Sequence, residues 1–183
     1  RTNHIPGGGN VVANYLLKLD THGDFQWAKK FGENPAGNYS FSIVQLLSLD
    51  QQGNLYISGR FTGEVDFDPG PGVVLLTDTG NTAFFILSLT GEGKHIWSYA
   101  FDKGGFRLLR DISLDSRGSL YSTGGLSESL DLDPGPGTFS LNTSFSPSFF
   151  AFKWKRDSCL GLAAIVDSVK GLSCTTQMGF ASG

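Results

Sequence analysis

The sequence is short of charge, sulfur and long apolar runs, and each shortage closes off a class of protein. Charged residues make up 17 % of the 183 positions, against about 25 % in an average soluble protein. Lysine and arginine total 14, aspartate and glutamate 17, and no basic run gathers. Nucleic-acid binders concentrate Lys and Arg on one face, so no nucleic-acid partner is expected. No apolar stretch approaches the ~20 residues of a membrane-crossing helix, so no membrane span is expected. Cys159 and Cys174 are the only cysteines. Two do not make a disulfide framework, and one bridge or two free thiols both stay open. Without a CxxC or a Cys/His cluster, zinc has no ligand set. His4, His22 and His95 are scattered, and no Ser/His/Asp or Cys/His arrangement can be read around them. Gly7-Gly8-Gly9 lacks the lysine and the strand-to-helix setting of a phosphate loop. With no catalytic constellation, the chain is read as not an enzyme. It begins Arg1-Thr2-Asn3-His4, with neither an initiator methionine nor a signal-peptide pattern, and so reads as a mature or internal fragment.

What the sequence has in quantity is glycine, at 25 residues, and phenylalanine, at 15. Glycine supplies the positive φ of tight turns, and aromatic side chains fit a pleated, half-buried surface. Both belong to a repeat. Leu49-Asp50-Gln51-Gln52-Gly53-Asn54-Leu55-Tyr56-Ile57-Ser58-Gly59 returns 65 positions on as Leu114-Asp115-Ser116-Arg117-Gly118-Ser119-Leu120-Tyr121-Ser122-Thr123-Gly124. Val65-Asp66-Phe67-Asp68-Pro69-Gly70-Pro71-Gly72 returns at the same offset as Leu130-Asp131-Leu132-Asp133-Pro134-Gly135-Pro136-Gly137, and Phe84-Phe85 as Phe149-Phe150. Upstream, Tyr15 to Trp27 aligns with Phe85 to Trp97 at an offset of 70, so five extra residues fall in the surface loop between Gly32 and Tyr39.

Each unit is read as four strands, about 13–20, 25–31, 41–49 and 54–61 in the first and 83–90, 94–101, 107–114 and 119–126 in the second. Asp-x-x-Gly turns at Asp20, Asp50 and Asp115, with Thr90 in the fourth such place, join them in pairs. The Asp caps the turn and the Gly takes the left-handed position that closes a bulged hairpin. Strands such as Phe84-Phe85-Ile86-Leu87 are apolar on both sides, as expected of a sheet covered on both faces. The fold class is all-β, with four-stranded antiparallel units of propeller-blade size. The divisions are 1–81, 82–146 and 147–183. The third unit decays. Lys155-Arg156-Asp157-Ser158 replaces the turn and Leu162 stands for the tryptophan. Ile165, Val166, Val169 and Leu172 fit a strand or a short amphipathic helix, so the tail continues the unit or caps the array.

Leu-Asp-x-x-Gly, a following Trp, Leu-Tyr-x-x-Gly and Asp-Phe-Asp-Pro-Gly-Pro-Gly together resemble the seven-bladed β-propeller repeat proteins of bacteria over residues 11 to 154. That resemblance implies a secreted or cell-surface scaffold for ligand recognition. Leu19-Asp20-x-x-Gly23-x-x-x-Trp27 is also similar to the tryptophan docking motif of quinoprotein propellers, which implies that Trp27 and Trp97 pack between blades. A closed propeller takes about 4–8 blades. Further blades from the same or other chains are therefore expected partners, as is self-association.

Asp66 and Asp68 lie two apart in an extended segment, so their carboxylates point to one side, and Asp131 and Asp133 repeat the arrangement. Like charges on one strand face repel unless a cation compensates. Arg60 could serve the first copy, but Gly125 stands in its place in the second. With the carbonyls of the Pro-Gly-Pro-Gly turn, these hard oxygens suit Ca²⁺. A solvent-facing edge strand whose charges deter aggregation is the alternative reading. Asn38-Tyr39-Ser40 and Asn142-Thr143-Ser144 fit glycosylation sequons. The functional expectation is a non-catalytic binding or assembly module. A structural subunit of an extracellular filament and a fragment of a propeller-scaffold enzyme, quinoprotein-like or glycosidase, are the alternatives.

Overall fold

The computed structural model describes residues 13–78, 82–101, 104–131, 138, 140–141, 148–157 and 161–165. All regular structure among them is strand: β1 (Asn14–Leu19), β2 (Phe25–Phe31), β3 (Phe41–Leu49), β4 (Leu55–Thr62), β5 (Glu64–Asp66), β6 (Leu75–Thr77), β7 (Ala83–Leu89), β8 (His95–Phe101), β9 (Gly104–Leu114), β10 (Leu120–Asp131), β11 (Ser140–Leu141), β12 (Ser148–Asp157) and β13 (Gly161–Ile165). The strand positions follow the sequence reading closely, and the turns show why. Asp50 Oδ1 accepts the amides of Gln52 and Asn54 at 2.9 and 2.8 Å. Asp20 does the same for His22 and Asp24, and Asp115 for Arg117 and Ser119. Thr90 Oγ1 repeats the pattern at the longer distances of 3.2 and 3.3 Å. The closing glycines Gly23, Gly53, Gly93 and Gly118 all hold φ between +73° and +87°, a conformation that costs glycine nothing.

The repeat reaches into the irregularities of the ladders. Between β3 and β4, Gln45 is passed over, since Val44 pairs with Gly59 and Leu46 with Ser58. Between β9 and β10, Arg110, 65 positions on, is passed over in the same way. Gln26 and Ile96, 70 apart, are the skipped residues of the β1–β2 and β7–β8 hairpins. Such bulges bend a strand and raise its twist.

The sheets group the strands differently from the sequence reading. The strands at 13–20, 25–31, 41–49 and 54–61 do not share a sheet. Among the described residues β1 and β2 pair only with each other, whereas the next sheet runs β3-β4-β7-β8 and the one after it β9-β10-β12-β13, with β11 also on β10. A period sets the spacing of hairpins but not which neighbours join. The choice is made after β2, where the chain leaves its layer at Gly32 (φ +88°). There the Gly32 amide donates to the Asp66 carbonyl at 2.8 Å and the Ser42 hydroxyl donates to the Gly32 carbonyl at 2.8 Å.

The three layers stack with β3-β4-β7-β8 in the middle. β7 is buried at all seven positions and alternates between two cores. Ala83, Phe85, Leu87 and Leu89 face Leu16 and Phe31 of the β1–β2 hairpin together with Val65 and Phe67. Phe84 and Ile86 join Tyr56 and Phe101 against Leu109, Ile112, Leu120, Phe150, Phe152 and Trp154 of the next sheet. The two-sided apolar pattern of this strand is thus explained by cover on both faces.

In the third copy the hairpin is longer and carries no bulge. Its pairing runs on to Asp157 opposite Gly161, which places Ile165, not Leu162, across from Lys153. The tail is a strand over 161–165. Residues 166–183 lie outside the described residues, as do Cys159 and Cys174.

Candidate functional site: the Asp-x-Asp-Pro-Gly-Pro-Gly loop

The loop is an excursion between β4 and β7. After Gly63 turns the chain at φ +81°, β5 and β6 form a short ladder with Val65 opposite Leu76 and Asp66 opposite Leu75. The backbone of Asp66 is tied to the β2–β3 connection, its amide donating to the Glu33 carbonyl at 2.7 Å. Phe67 then plunges into the core, with its ring centroid 4.5 Å from Phe85, 5.3 Å from Phe61 and 6.4 Å from Phe31. The alternation expected of an extended segment holds: the aromatic residue goes inward and both flanking aspartates stay half-buried at the surface.

Each aspartate folds the loop. Asp66 Oδ1 accepts the amides of Asp68 at 3.0 Å and Val74 at 2.8 Å, so one carboxylate oxygen clamps both ends of the excursion. Asp68 Oδ1 accepts the Gly70 amide at 2.7 Å. Its other oxygen lies in the space a side chain at Gly72 would enter, so the carboxylate as placed packs against a bare backbone there. The spacing Asp-x-Asp-Pro-Gly-Pro-Gly is accounted for by this capping.

Partial burial holds the His95 imidazole below its usual range, while the charges of Asp68 and then Asp66 pull it the other way. Its Nε2 lies 3.2 Å from the Ser98 hydroxyl oxygen. Among the described residues, no group of three or more His, Cys, Asp or Glu is gathered that could hold a metal ion. In the second copy Leu130 pairs with Leu141 and Asp131 with Ser140, the register of the first copy moved on by 65. Asp131 is half-buried. Asp133 lies outside the described residues.

The tryptophans divide. Trp27 and Trp97, expected to pack between blades, are half-buried; Trp154 is the one sealed in the core, at 1 % exposure. Trp27 does sit between layers. A Cβ on Gly93, in the turn of the next sheet, would lie 3.2 Å from its ring, and Lys18 donates to the Gly91 carbonyl of that turn at 2.7 Å. Trp97 packs edge-on against Tyr56 at 6.1 Å beside the inter-sheet core.

Sequence reading missed one surface constellation. Tyr121 donates to Asp115 Oδ2 at 3.1 Å, Lys153 Nζ lies 3.6 Å from that oxygen and 4.9 Å from the Tyr121 ring centre. Tyr121 faces Lys153 across the β10–β12 ladder, a pairing that the repeat alone does not reveal. Asn38 of the first sequon is exposed; the second sequon, His4 and Gly7-Gly8-Gly9 lie outside the described residues. Compared with known proteins, the chain matches no family model, no curated protein and no solved structure.

Proposed function

We propose that the chain is a run of β-propeller-type blades from a secreted or cell-surface protein and acts as a non-catalytic module for binding or assembly. The observation that supports this best is the stack itself. A four-stranded and a five-stranded antiparallel sheet follow one another, each with the same bulge in its first hairpin and the same register in its side ladder, and equivalent positions form successive cores. Stacked repeats of this kind make scaffolds whose loops are free to vary for recognition. The best-formed polar site, the Asp66/Asp68 loop, is occupied with holding its own backbone. Calcium therefore enters the reading only as an ion added to a preformed loop.

Electron microscopy of the full-length protein, with protease shaving of intact cells that produce it, tests the reading. Blades arranged about an axis and cleavage at the cell surface are expected. Ordered fibres would favour the filament subunit, and funnel-lining acids or a catalytic domain in the full-length protein would favour the enzyme scaffold.

A further inference from the structure

β1, β7 and β12 are the same strand in three successive copies, and of the three only β1 has an open edge among the described residues. Among the described residues β7 lies between β4 and β8, β12 between β10 and β13, and β1 pairs only with β2. The missing neighbour has a known register, because both complete copies agree on it. Leu55 faces Leu89 and Gly59 faces Phe85; Leu120 faces Trp154 and Gly124 faces Phe150. The equivalents in β1 are Leu19 and Tyr15.

The glycine has a physical reason. A Cβ on Gly59 would collide with the Ile43 carbonyl of its own hairpin and also lie 2.9 Å from the Phe85 ring, so the bare backbone serves the β3–β4 pairing first and leaves room for the aromatic residue of the receiving strand. Tyr15 is that aromatic residue in β1. It is 69 % exposed, against 0 % for Phe85 and 6 % for Phe150.

We propose that the open edge of β1 takes up an antiparallel strand reading Leu-Tyr-x-x-Gly, its Leu opposite Leu19 and its Gly opposite Tyr15, on a hairpin of the β3–β4 type from polypeptide outside residues 13–165. This rests on the repeat-module reading and names its partner. A folded second copy is not the donor, since β4 and β10 are each paired along both edges. Strand addition of this kind draws affinity from main-chain hydrogen bonds and specificity from alternate side chains.

The test is amide hydrogen exchange on the 183-residue chain with a synthetic peptide of residues 41–62. Amides on the open edge of β1 are expected to slow about tenfold once the peptide stands at ten times its dissociation constant. A peptide of residues 104–126, which carries the same Leu-Tyr-x-x-Gly strand, should protect the same amides, and a 41–62 peptide with Gly59→Val should not. No protection by either natural peptide, or equal protection by the valine variant, overturns the proposal. Protection of β1 that grows with chain concentration and without peptide also overturns it, in favour of a second copy. Blades seen about an axis with β1 unprotected by the peptides would leave the module reading standing and remove this one.

Discussion

The β1–β2 and β7–β8 hairpins share a sequence pattern, a capped turn and a bulge at the same place, yet one is bare where the other is sealed. Leu17 and Leu19 are 58 % and 48 % exposed, and their counterparts Leu87 and Leu89 are 0 %. Local sequence is therefore enough to shape the hairpin, while burial is supplied by the layers on either side. The inner side of β1–β2 makes the same point. Leu16 and Phe31 pack on the middle sheet, and the Asn14 side chain donates to the Ser42 hydroxyl at 2.6 Å and accepts the Val44 amide at 3.1 Å. Among the described residues only the outward side lacks a layer.

The sharpest way to break the comparison is to truncate the equivalent aromatic residues. Phe85→Ala should cost about 3–5 kcal/mol, the usual loss for a buried large aromatic, while Tyr15→Ala should stay within about 0.5 kcal/mol, as exposed substitutions do. Urea midpoints of the two variants decide it, and similar losses would mean that β1 is covered on its outward side. A smaller contrast is expected at the next aromatic pair. Trp97→Ala removes an edge-on contact with Tyr56 beside the inter-sheet core and should cost about 2 kcal/mol, below the range for full burial. Trp27→Ala, which frees only the Gly93 turn and the hairpin, should cost about 1 kcal/mol. A larger loss at Trp27 than at Trp97 would reverse the ranking of the two interfaces.

These pairs also mark what could be read from the sequence. The turns were legible because Asp-x-x-Gly carries its own mechanism: a carboxylate that caps two amides and a glycine that takes φ near +80°. Both-face burial of β7 was legible because Phe84 to Leu87 is apolar without alternation. The grouping into sheets was not, since a repeat of hairpins looks the same whichever neighbours join, and the decision rests on backbone hydrogen bonds at Gly32 and Asp66. At the site, the alternation of Asp66, Phe67 and Asp68 was visible, but the partners of the carboxylates were not. The amides of Val74 and Gly70 leave no mark in residue type. Nothing local indicated that the third hairpin would run on without its bulge.

A finer contrast separates two turns of the same shape. In the Asp115 turn the carboxyl group is held down to about 2 from an ordinary 3.8, chiefly by the Ser119 amide and then by Arg117 and Tyr121. A folded value below the unfolded one means that the stabilisation is fully present above about pH 4 and fades as pH falls toward 2. The Thr90 turn, capped by a hydroxyl, has no such dependence. Asp115→Thr should therefore flatten the acid limb of the thermal stability profile between pH 4 and 2 relative to the wild type, and an unchanged limb would show that other carboxylates set it.

The smallest effect is expected where the two Asp-x-Asp loops are compared with and without their charge. Asn in place of Asp68 keeps an Oδ1 acceptor for the Gly70 amide, and glycine at 72 still leaves room for it. The Asp68→Asn, Asp133→Asn double variant should thus match the wild type within about 0.5 kcal/mol in chelator. Calcium then separates the roles. An ion bound only by the folded loop stabilises by RT ln(1 + [Ca²⁺]/Kd), about 0.4 kcal/mol per site when the concentration equals Kd, and a site with two carboxylates falls in the millimolar range. The wild-type melting temperature is expected to rise by a degree or two across millimolar calcium while that of the double variant stays put. Equal responses, or none in either protein, would remove calcium and leave amide capping as the whole work of Asp66 and Asp68, because the capping bonds need an oxygen acceptor and not a charge.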